Sequence, residues 1–467
     1  MMKIIGINHG EFNSSAALLK DGFIIAAAPE ERFSRQKKTK NFPKNALQFC
    51  LAHGDVELAS VDAIAQAWNP GAKWNSYNPL ISTNRIKRED YFYTVPDHLF
   101  NFIGRREIPN YVVQNMERGL PPIYYIQHHL CHAASFFLSP FKEAAVLTAD
   151  WQGELESLTK GICHGNNIDI FDTQCMPHSI GMFYATYTQL LGYQTDNDEW
   201  KVMAMSAENV DSTDYEKKIL STIILLDDGR FELDQKYYTG ALLDQPDLYS
   251  DTLLSLIGTT KDNLSDANQD YLWQCKVARA MQRVSEKIIW HVLNDLYEKT
   301  KTPNLVLSGG FFMNSVVNGK VNDNTKFKNV YISHSPDDLG NSIGAALYLN
   351  HCILGKPRLR STSVSNLGPH FNSDDVESVL LRRKIVGEKL DNPEKTIAKI
   401  LAEGEVVALL QGRMEFGDRA LGFRSILADP RSAAMKDKIN SMIKYRESFR
   451  PFAPATLYEK SHEVCDV

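Results

Sequence analysis

Residues 3–28 have the sequence KIIGINHGEFNSSAALLKDGFIIAAA, in which apolar runs alternate with polar turns. The runs Lys3–Asn8, Ser15–Leu19 and Phe23–Ala28 predict three strands. The turn Lys20-Asp21-Gly22 places Asp-Gly between two apolar runs, which is a strong hairpin signal because this pair tolerates the positive φ of tight turns. We therefore expect a strand, a polar loop and a second strand, followed by a tight turn and a third strand.

The same order of elements recurs in residues 144–171, which read AAVLTADWQGELESLTKGICHGNNIDIF. Here the predicted strands are Ala144–Ala149, Leu158–Cys163 and Ile168–Phe171, separated by a polar loop and a second turn. A unit that appears twice predicts a duplicated lobe with a cleft between the two halves.

A long amphipathic helix is predicted over Asn268–Lys299, because apolar residues recur every three or four positions from Val277 to Val292. Pro303 ends this helix, and Asn304–Leu307 is predicted to be a buried strand.

Other regions show weaker patterns. Residues 70–125 are mixed and rich in aromatic residues, which predicts an irregular helical insertion, and residues 210–265 are expected to contain loops. Neither region contains a motif that identifies a substrate. A shift to polar residues, Pro and Gly over Gly355–Pro369 indicates a domain boundary.

The composition is that of an ordinary globular protein. Of 467 residues, 43% are hydrophobic and 23% are charged, which excludes a disordered or coiled-coil chain. The net charge of -6 gives no general attraction for nucleic acid. No apolar run approaches the roughly 20 residues that span a bilayer, and the N-terminal run is too short for a signal peptide. Seven cysteines without a Cys-x-x-Cys pair predict reduced thiols and a cytoplasmic location.

The sharpest local signal is Gln127-His128-His129-Leu130-Cys131-His132. On a helix, His128 and His132 are four residues apart and lie on one face, so both imidazoles can reach one cation. His129 is the weaker candidate. For this spacing alone, a buried histidine cluster without a metal is the alternative.

Two acidic residues favour a metal. Asp150 follows a predicted strand, and Asp338 lies in a glycine-bearing turn that leads into a helix of small residues. Two imidazoles and two carboxylates suit a divalent first-row metal better than calcium, which prefers oxygen ligands only. The residues do not distinguish iron, manganese and zinc.

The segment Ser308–Asn314 follows a predicted strand and contains the pair Gly309-Gly310. Paired glycines let backbone N–H groups approach a ligand, and a helix N-terminus favours an anion. A tight turn between a strand and a helix, without a ligand, is the alternative.

The C-terminal region contains the densest cluster of cations. Because these cations alternate with apolar residues and glycine, they indicate a concave anion site, and guanidinium groups match the geometry of phosphate. Ordinary surface ion pairs are the alternative. The cluster consists of Arg413, Arg419, Arg424, Arg431, Lys444, Arg446 and Arg450.

These motifs, in this order, resemble the carbamoyltransferases of the nodulation and antibiotic type (NodU/CmcH). The resemblance covers nearly the whole chain. Its most specific part is EFGDRALGFRSILA at residues 415–428, completed by Arg446–Pro454. The other matching segments are Ser14–Leu19, Glu30–Arg35, His128–Ala134, Asp198–Met203, Ser308–Asn314 and Pro336–Ala346.

The resemblance implies a mixed α/β protein with two domains. Residues 1–355 are expected to form a duplicated actin/Hsp70-like ATPase (ASKHA) fold. Residues 360–467 are expected to form a YrdC-like α/β domain that is either shortened or incomplete in this sequence. In such families the YrdC-like domain combines carbamoyl phosphate with ATP to give a carbamoyl-adenylate and pyrophosphate. The first domain then passes the carbamoyl group to a hydroxyl and releases AMP. The acceptor implied is a small metabolite, a sugar or a glycoside.

The resemblance also implies residue roles. Apart from the resemblance, the acceptor hydroxyl needs a general base, and His9, in the first polar loop, is the residue we expect to supply it. Iron is the metal implied, with magnesium and manganese as alternatives, and ATP is a co-substrate. The implied metal ligands are His128, His132, Asp150 and Asp338. The implied adenylate contacts are Gly309, Gly310 and Asn314, and the implied contacts of carbamoyl phosphate and ATP are Arg419, Arg424, Lys444, Arg446 and Arg450.

Three other functions explain parts of the sequence. A sugar kinase of the same ATPase fold leaves the C-terminal arginine cluster unexplained. A hydrogenase-maturation carbamoyltransferase is disfavoured because its zinc-binding cysteine pairs and acylphosphatase unit are not found. A nucleotide-binding regulatory protein with a degenerate activation domain is the alternative from another class. We expect no nucleic-acid or membrane partner, and the oligomeric state stays open, a homodimer included.

Overall fold

The computed structural model describes residues 2–10, 12–72, 90–102, 110–116, 119–241, 247–260, 270–359 and 365–464. The chain divides into two compact units, Met1–Val364 and Ser365–Val467. The predicted insertion at 70–125 and the predicted boundary at Gly355–Pro369 lie partly outside the described residues.

The first sheet of the N-terminal unit has six strands. They are β1 Lys3–Asn8, β2 Ser15–Lys20, β3 Phe23–Pro29, β4 Ala63–Gln66, β5 Tyr111–Gln114 and β6 Ile123–Ile126. Their order is β3-β2-β1-β4-β6-β5, with β1, β2 and β3 antiparallel and β4 parallel to both β1 and β6. Asp21 and Gly22 have positive φ, 50° and 84°, which confirms the predicted hairpin turn.

The second sheet repeats this plan. Its five strands are β7 Glu143–Ala149, β8 Glu156–His164, β9 Asn167–Cys175, β12 Asn304–Ser308 and β13 Asn329–Ile332. Between β9 and β12 in the sequence, β10 Ile223–Leu225 and β11 Phe231–Leu233 form a separate hairpin. The order is β13-β12-β7-β8-β9, with β7, β8 and β9 antiparallel and β12 parallel to both β7 and β13. The predicted duplication and the mixed α/β class are therefore confirmed.

Twelve α-helices are described in the N-terminal unit. The longest is the predicted amphipathic helix, whose apolar stripe from Val277 to Val292 is buried. No helix in the described ranges is long and apolar enough to cross a membrane. The helices are α1 Glu31–Ser34, α2 Lys44–His53, α3 Tyr91–Phe102, α4 His128–Ala133, α5 Ile180–Leu190, α6 Glu199–Met205, α7 Thr213–Leu220, α8 Asp251–Ile257, α9 Tyr271–Thr300, α10 Ser315–Asn318, α11 Val321–Asn324 and α12 Asn341–Tyr348.

Two sequence predictions are partly wrong. The region 70–125 contains helix α3, but it also supplies β5 and β6 to the first sheet. Each of these strands has four residues, which is too short for a period of two to be recognised. The region 210–265 contains α7, α8 and the β10–β11 hairpin rather than loops alone.

Helix α12 packs directly against the first sheet and against α4. A Cβ atom at Gly6 would lie 1.8 Å from the carbonyl oxygen of Ser342, and one at Gly344 would lie 2.0 Å from that of Cys131. Glycine at both positions therefore allows the backbones to approach closely. These contacts hold α12, and therefore the turn before it, close to β1 and α4.

The C-terminal unit also combines helices and strands. It contains one antiparallel strand pair and short helices whose apolar residues are mostly exposed. The elements are α13 Ser373–Arg383, α14 Pro393–Ala402, β14 Val407–Leu410, β15 Arg424–Leu427 and α15 Ala434–Lys438.

Candidate metal centre

Helix α4 directs two histidines toward the same point. His128 and His132 are one turn apart, and their Nε2 atoms are 3.0 Å from each other. Both rings are buried, and Trp68 packs on the His128 ring with the centroids 4.2 Å apart. The predicted pairing on one helix face is therefore present.

Asp150 and Asp338 approach the same point from two other elements. Asp150 follows β7, and its Oδ2 lies 3.0 Å from His132 Nε2 and 3.6 Å from His128 Nε2. Asp338 begins the 3₁₀ turn before α12, and its Oδ1 lies 3.3 Å and 3.4 Å from the same two nitrogens. Four donor atoms, one from each residue, all lie within 4.8 Å of one another. The structure thus brings together the four residues that the sequence proposed as metal ligands.

The cluster fits a divalent cation in its chemistry. The Oδ2 atom of Asp338 is buried and has no hydrogen-bond partner among the described residues. A buried carboxyl oxygen without a hydrogen-bond partner costs free energy. A divalent cation bound by two imidazole nitrogens and two carboxylates removes this cost.

Burial and charge set the protonation of these side chains. Burial lowers the pKa of His128 to about 3, so this imidazole is neutral, as a metal ligand must be. Burial raises the pKa of Asp338, and the charge of Asp150 raises it further. Burial opposes the charged form of His132, but hydrogen bonds to Asp150 and Asp338 outweigh it and raise the pKa. The cluster therefore holds a proton at neutral pH that a bound cation would displace.

Glu154 supports α4 and was missed by the sequence analysis. Its buried Oε1 accepts hydrogen bonds from the backbone N–H groups of His128, at 3.0 Å, and Asn69, at 2.8 Å. Burial raises the pKa of this carboxyl to about 7. A single acidic residue in a polar loop carries no pattern, and only the fold brings it to the start of α4.

His129 lies outside the four-residue cluster. Its Nε2 is 3.0 Å from the backbone oxygen of Glu156, and its Nδ1 is 2.7 Å from Thr148 Oγ1. Because a carbonyl only accepts, Nε2 carries the proton and Nδ1 accepts from the threonine hydroxyl. His129 therefore ties α4 to β7 and β8.

The paired glycines after β12 position Asp150. Gly309 has a φ of 104°, and a Cβ atom there would lie 2.1 Å from the carbonyl oxygen of Ala149. The N–H group of Gly310 donates to Asp150 Oδ2 over 3.2 Å. The close approach of Gly309 to Ala149 and the hydrogen bond from Gly310 to Asp150 are enough to account for glycine at both positions. The adenylate contact predicted for these glycines therefore stays a prediction.

Asn314 caps the short helix α10. Its Oδ1 accepts from the backbone N–H of Val317 at 3.1 Å, and its Nδ2 donates to Gln282 Oε1 at 2.9 Å. The side chain is buried. Its adenylate contact also stays a prediction.

His9 follows β1 directly, and its ring lies edge-on to Phe42 with the centroids 5.4 Å apart. The same loop reaches the turn that carries Asp338 through Asn13, whose Nδ2 donates to Asp337 Oδ2 over 3.1 Å. The loop of His9 therefore borders the candidate metal centre, and its role as the general base stays a prediction.

Two family models match the sequence. A model described as "Carbamoyltransferase N-terminus" matches residues 3–347, which include the metal cluster, and one described as "Carbamoyltransferase C-terminus" matches residues 398–467. The chain belongs to the carbamoyltransferase family. The family predicted from the motifs is thus confirmed, and the chain is an enzyme of that family.

Relatives of known sequence can be aligned with most of this chain. An uncharacterized protein of Synechocystis sp. is 34% identical over 98% of this chain and 76% of its own. Nodulation protein NolNO of Sinorhizobium fredii is 30% identical over 97% of this chain and 64% of its own. A 3'-hydroxymethylcephem-O-carbamoyltransferase of Streptomyces clavuligerus is 27% identical over 61% of this chain and 49% of its own.

The predicted phosphate-binding cations of this carbamoyltransferase lie in the C-terminal unit. Arg419, Arg424 and Lys444 are exposed, whereas Arg446 and Arg450 are half-buried. Arg446 Nε donates a hydrogen bond to Asn440 Oδ1 at 2.7 Å, and its guanidinium group stacks on the Phe452 ring. Arg450 Nη1 lies 3.7 Å from Glu447 Oε2. The three exposed cations are accessible to an anion, and their assignment to carbamoyl phosphate and ATP stays a prediction.

Glu415 holds the loop that carries Arg419 and was also missed. Its Oε1 accepts from the backbone N–H groups of Leu421, Phe423 and Arg424 at 2.8–2.9 Å. Burial alone would raise the pKa of this carboxyl, but these donors outweigh burial and lower it. The matching motif at residues 415–428 is thus a loop closed around one buried carboxylate.

Proposed function

We propose that this enzyme transfers a carbamoyl group from a carbamoyl-adenylate to a hydroxyl of a small metabolite, a sugar or a glycoside. The observation that carries the proposal is the buried cluster of His128, His132, Asp150 and Asp338 within the region matched by the N-terminal family model. The name of the Streptomyces clavuligerus relative, an O-carbamoyltransferase, supports a hydroxyl acceptor.

The proposed reaction has two steps. Carbamoyl phosphate and ATP give the carbamoyl-adenylate, and the atoms balance when one water is consumed and both phosphate and pyrophosphate are released. In the second step the acceptor oxygen attacks the carbamoyl carbon, the bond from that carbon to the AMP oxygen breaks, and the hydroxyl proton passes to a base. Activation is needed because carbamate, which the water forms from carbamoyl phosphate, could pass on its carbonyl group only by losing hydroxide, a far poorer leaving group than AMP.

The four clustered residues would hold a divalent cation for the transfer step. When bound, the cation stabilises the negative charge that develops on the leaving phosphate oxygen. His128 is suited to this because burial keeps it neutral, and Asp150 because the N–H of Gly310 fixes its orientation. Iron is the metal that the family resemblance favours over magnesium and manganese.

We assign the proton transfer from the acceptor hydroxyl to His9. Imidazole is the side chain that most often acts as a general base. The loop of His9 is joined to the turn of Asp338 by the hydrogen bond from Asn13 to Asp337, so the base and the metal ligands are held by neighbouring backbone segments.

The activation step is assigned to the C-terminal unit. Two phosphate-bearing substrates require several cations, and guanidinium groups bind phosphate oxygens in pairs. The residues proposed to supply this charge are Arg419, Arg424, Lys444, Arg446 and Arg450.

Incubation of the full chain with ATP, carbamoyl phosphate and a divalent metal tests the proposal. We expect pyrophosphate and carbamoyl-adenylate, detected by mass spectrometry, and a carbamoyl mass gain on hydroxylated acceptors such as sugars. Arg424→Gln should reduce pyrophosphate formation, whereas His9→Gln should reduce transfer more than activation. A metal-loaded chain that makes neither product and binds no adenylate would refute the proposal.

A further inference from the structure

Asn341, the first residue of α12, lies against both histidines of the cluster. Its side chain is 1% exposed. Its amide nitrogen lies 3.0 Å from His132 Nε2 and 3.4 Å from His128 Nδ1. Its amide oxygen is buried and has no hydrogen-bond partner within the described ranges. None of the sequence motifs gave this residue a role.

When a cation occupies the cluster, the Asn341 amide must present a hydrogen-bond acceptor to the histidines rather than a donor. When Nε2 of His132 binds a metal, its lone pair is no longer available to the amide N–H. When Nε2 of His128 binds a metal, Nδ1 of that ring carries a proton and needs an acceptor. An amide nitrogen facing these two atoms then has no acceptor, and a proton donor faces a proton donor.

A half-turn of the amide resolves this conflict. The nitrogen and oxygen of an asparagine side chain have nearly the same size, so rotating the amide exchanges their positions without moving other atoms. The oxygen then occupies the place 3.4 Å from His128 Nδ1 and 3.0 Å from His132 Nε2. It can accept the Nδ1 proton of His128, and its negative end faces the cation.

His132 already has an oxygen at the corresponding place. Ser308 Oγ lies 3.4 Å from His132 Nδ1 and 3.4 Å from the backbone oxygen of Pro336. The hydroxyl can therefore accept from the ring and donate to the carbonyl. Both rings then have an oxygen at Nδ1, which is the usual surrounding of metal-binding histidines.

We propose that Asn341 is a positioning residue of the metal centre, whose amide oxygen accepts the Nδ1 proton of His128 and keeps Nε2 directed at the cation. The proposal rests on the metal centre of the proposed function. Partners of this kind fix the tautomer and orientation of the ring, and their loss typically weakens metal binding ~10–100-fold.

Metal affinity of the full chain tests this role without reference to activity. The metal-free protein is titrated with Co²⁺, and binding is followed by the visible absorption of the bound ion. Asn341→Asp keeps an oxygen at the same place, and Asn341→Leu keeps the shape without one. We expect the Leu variant to bind Co²⁺ ~10–100-fold more weakly and the Asp variant to bind at least as tightly as the unmodified chain.

Asn350 offers a matched control in the same region. It is also a buried asparagine whose amide nitrogen lies 3.4 Å from a histidine Nδ1, that of His351, but it is not in the metal cluster. Asn350→Leu should leave the affinity for Co²⁺ unchanged. A general packing effect would instead weaken binding in both Leu variants, which would overturn the proposal.

The remaining outcomes separate this inference from the proposed function. Equal affinity in Asn341→Leu and the unmodified chain overturns the role of Asn341 and leaves the metal centre intact. If the Leu variant does not fold, the Asp variant decides, because weaker binding there overturns the role. An unmodified chain that binds neither Co²⁺ nor another divalent metal refutes the metal centre itself.

Discussion

Asp337 and Asp338 are adjacent acids with different surroundings. Asp337 accepts hydrogen bonds from Asn13 and Ser335, whereas Asp338 Oδ2 is buried without a partner in the described part of the chain. We expect Asp338→Asn to lose stoichiometric metal after loading, because the change removes a negative charge from the donor set. Metal analysis by mass spectrometry measures this. Asp337→Asn is the control and should retain the metal. Equal loss in both variants would contradict the assignment.

Glu415 predicts a local dependence on pH. Its carboxyl has a pKa below the ordinary value of 4.5 in the folded protein, because three backbone donors outweigh burial. A lowered pKa stabilises the fold above pH 4.5, and this stabilisation is lost as the pH falls through the folded-state pKa.

Glu415→Gln should therefore reduce the protection of the Leu421, Phe423 and Arg424 amides against hydrogen exchange at neutral pH. The difference from the unmodified chain should shrink as the pH falls below 4.5 and through the lower folded-state pKa of Glu415. Mass spectrometry of exchanged peptides measures it, with peptides of the N-terminal unit as the internal control. A difference that stays constant with pH would exclude the carboxylate as the cause.

The elements show which parts of the fold are encoded locally. Strands β1, β2 and β3 follow from alternating apolar runs and an Asp-Gly turn, and α9 from a period repeated over many turns. Strands β5 and β6 have four residues each and show no period, so they were interpreted as part of a helical insertion.

The residues of the metal cluster also divide into those that the sequence predicts and those that only the fold brings together. His128 and His132 were predictable because they are on one helix. Asp150 was predictable because it follows a predicted strand, and Asp338 because it lies in a turn within the matching segment Pro336–Ala346. Glu154 reaches the cluster only through long-range packing, and Asn341, three residues after Asp338, meets the histidines of α4 only through such packing. A lone Glu or Asn in the sequence has no spacing that announces such a contact.

The contact between α12 and β1 yields a prediction about stability. A Cβ atom at Gly6 would lie 1.8 Å from the backbone oxygen of Ser342, which cannot move without shifting α12. We expect Gly6→Ala to lower the free energy of unfolding by about 3 kcal/mol, measured by urea unfolding.

Gly319→Ala is the matched control. A Cβ atom there meets only the backbone oxygen of Ser315, at 3.4 Å, and the glycine has a helical φ of -67°. This variant should remain within about 0.5 kcal/mol of the unmodified chain. Similar stability for the two alanine variants would show that α12 does not pack tightly on β1.

The duplicated architecture places the metal cluster between elements that are distant in sequence. Helix α4 follows the last strand of the first sheet, Asp150 follows the first strand of the second sheet, and Asp338 precedes α12, which returns to the first sheet. A ligand bound by all three segments therefore links the two halves of the N-terminal unit. When the N-terminal unit unfolds, these segments separate and the bound ligand must be released.

Metal binding should for this reason stabilise the whole N-terminal unit against unfolding. All six tryptophans lie between Trp68 and Trp290, so their fluorescence reports unfolding of this unit. At a free Mn²⁺ or Fe²⁺ concentration of about 100 times the dissociation constant, the free energy of unfolding should rise by about 2.7 kcal/mol. The urea midpoint should rise accordingly and return on addition of a chelator. Asp338→Asn should show no such rise, and a midpoint that the metal does not change in the unmodified chain would mean that the cluster does not join the two halves through a cation.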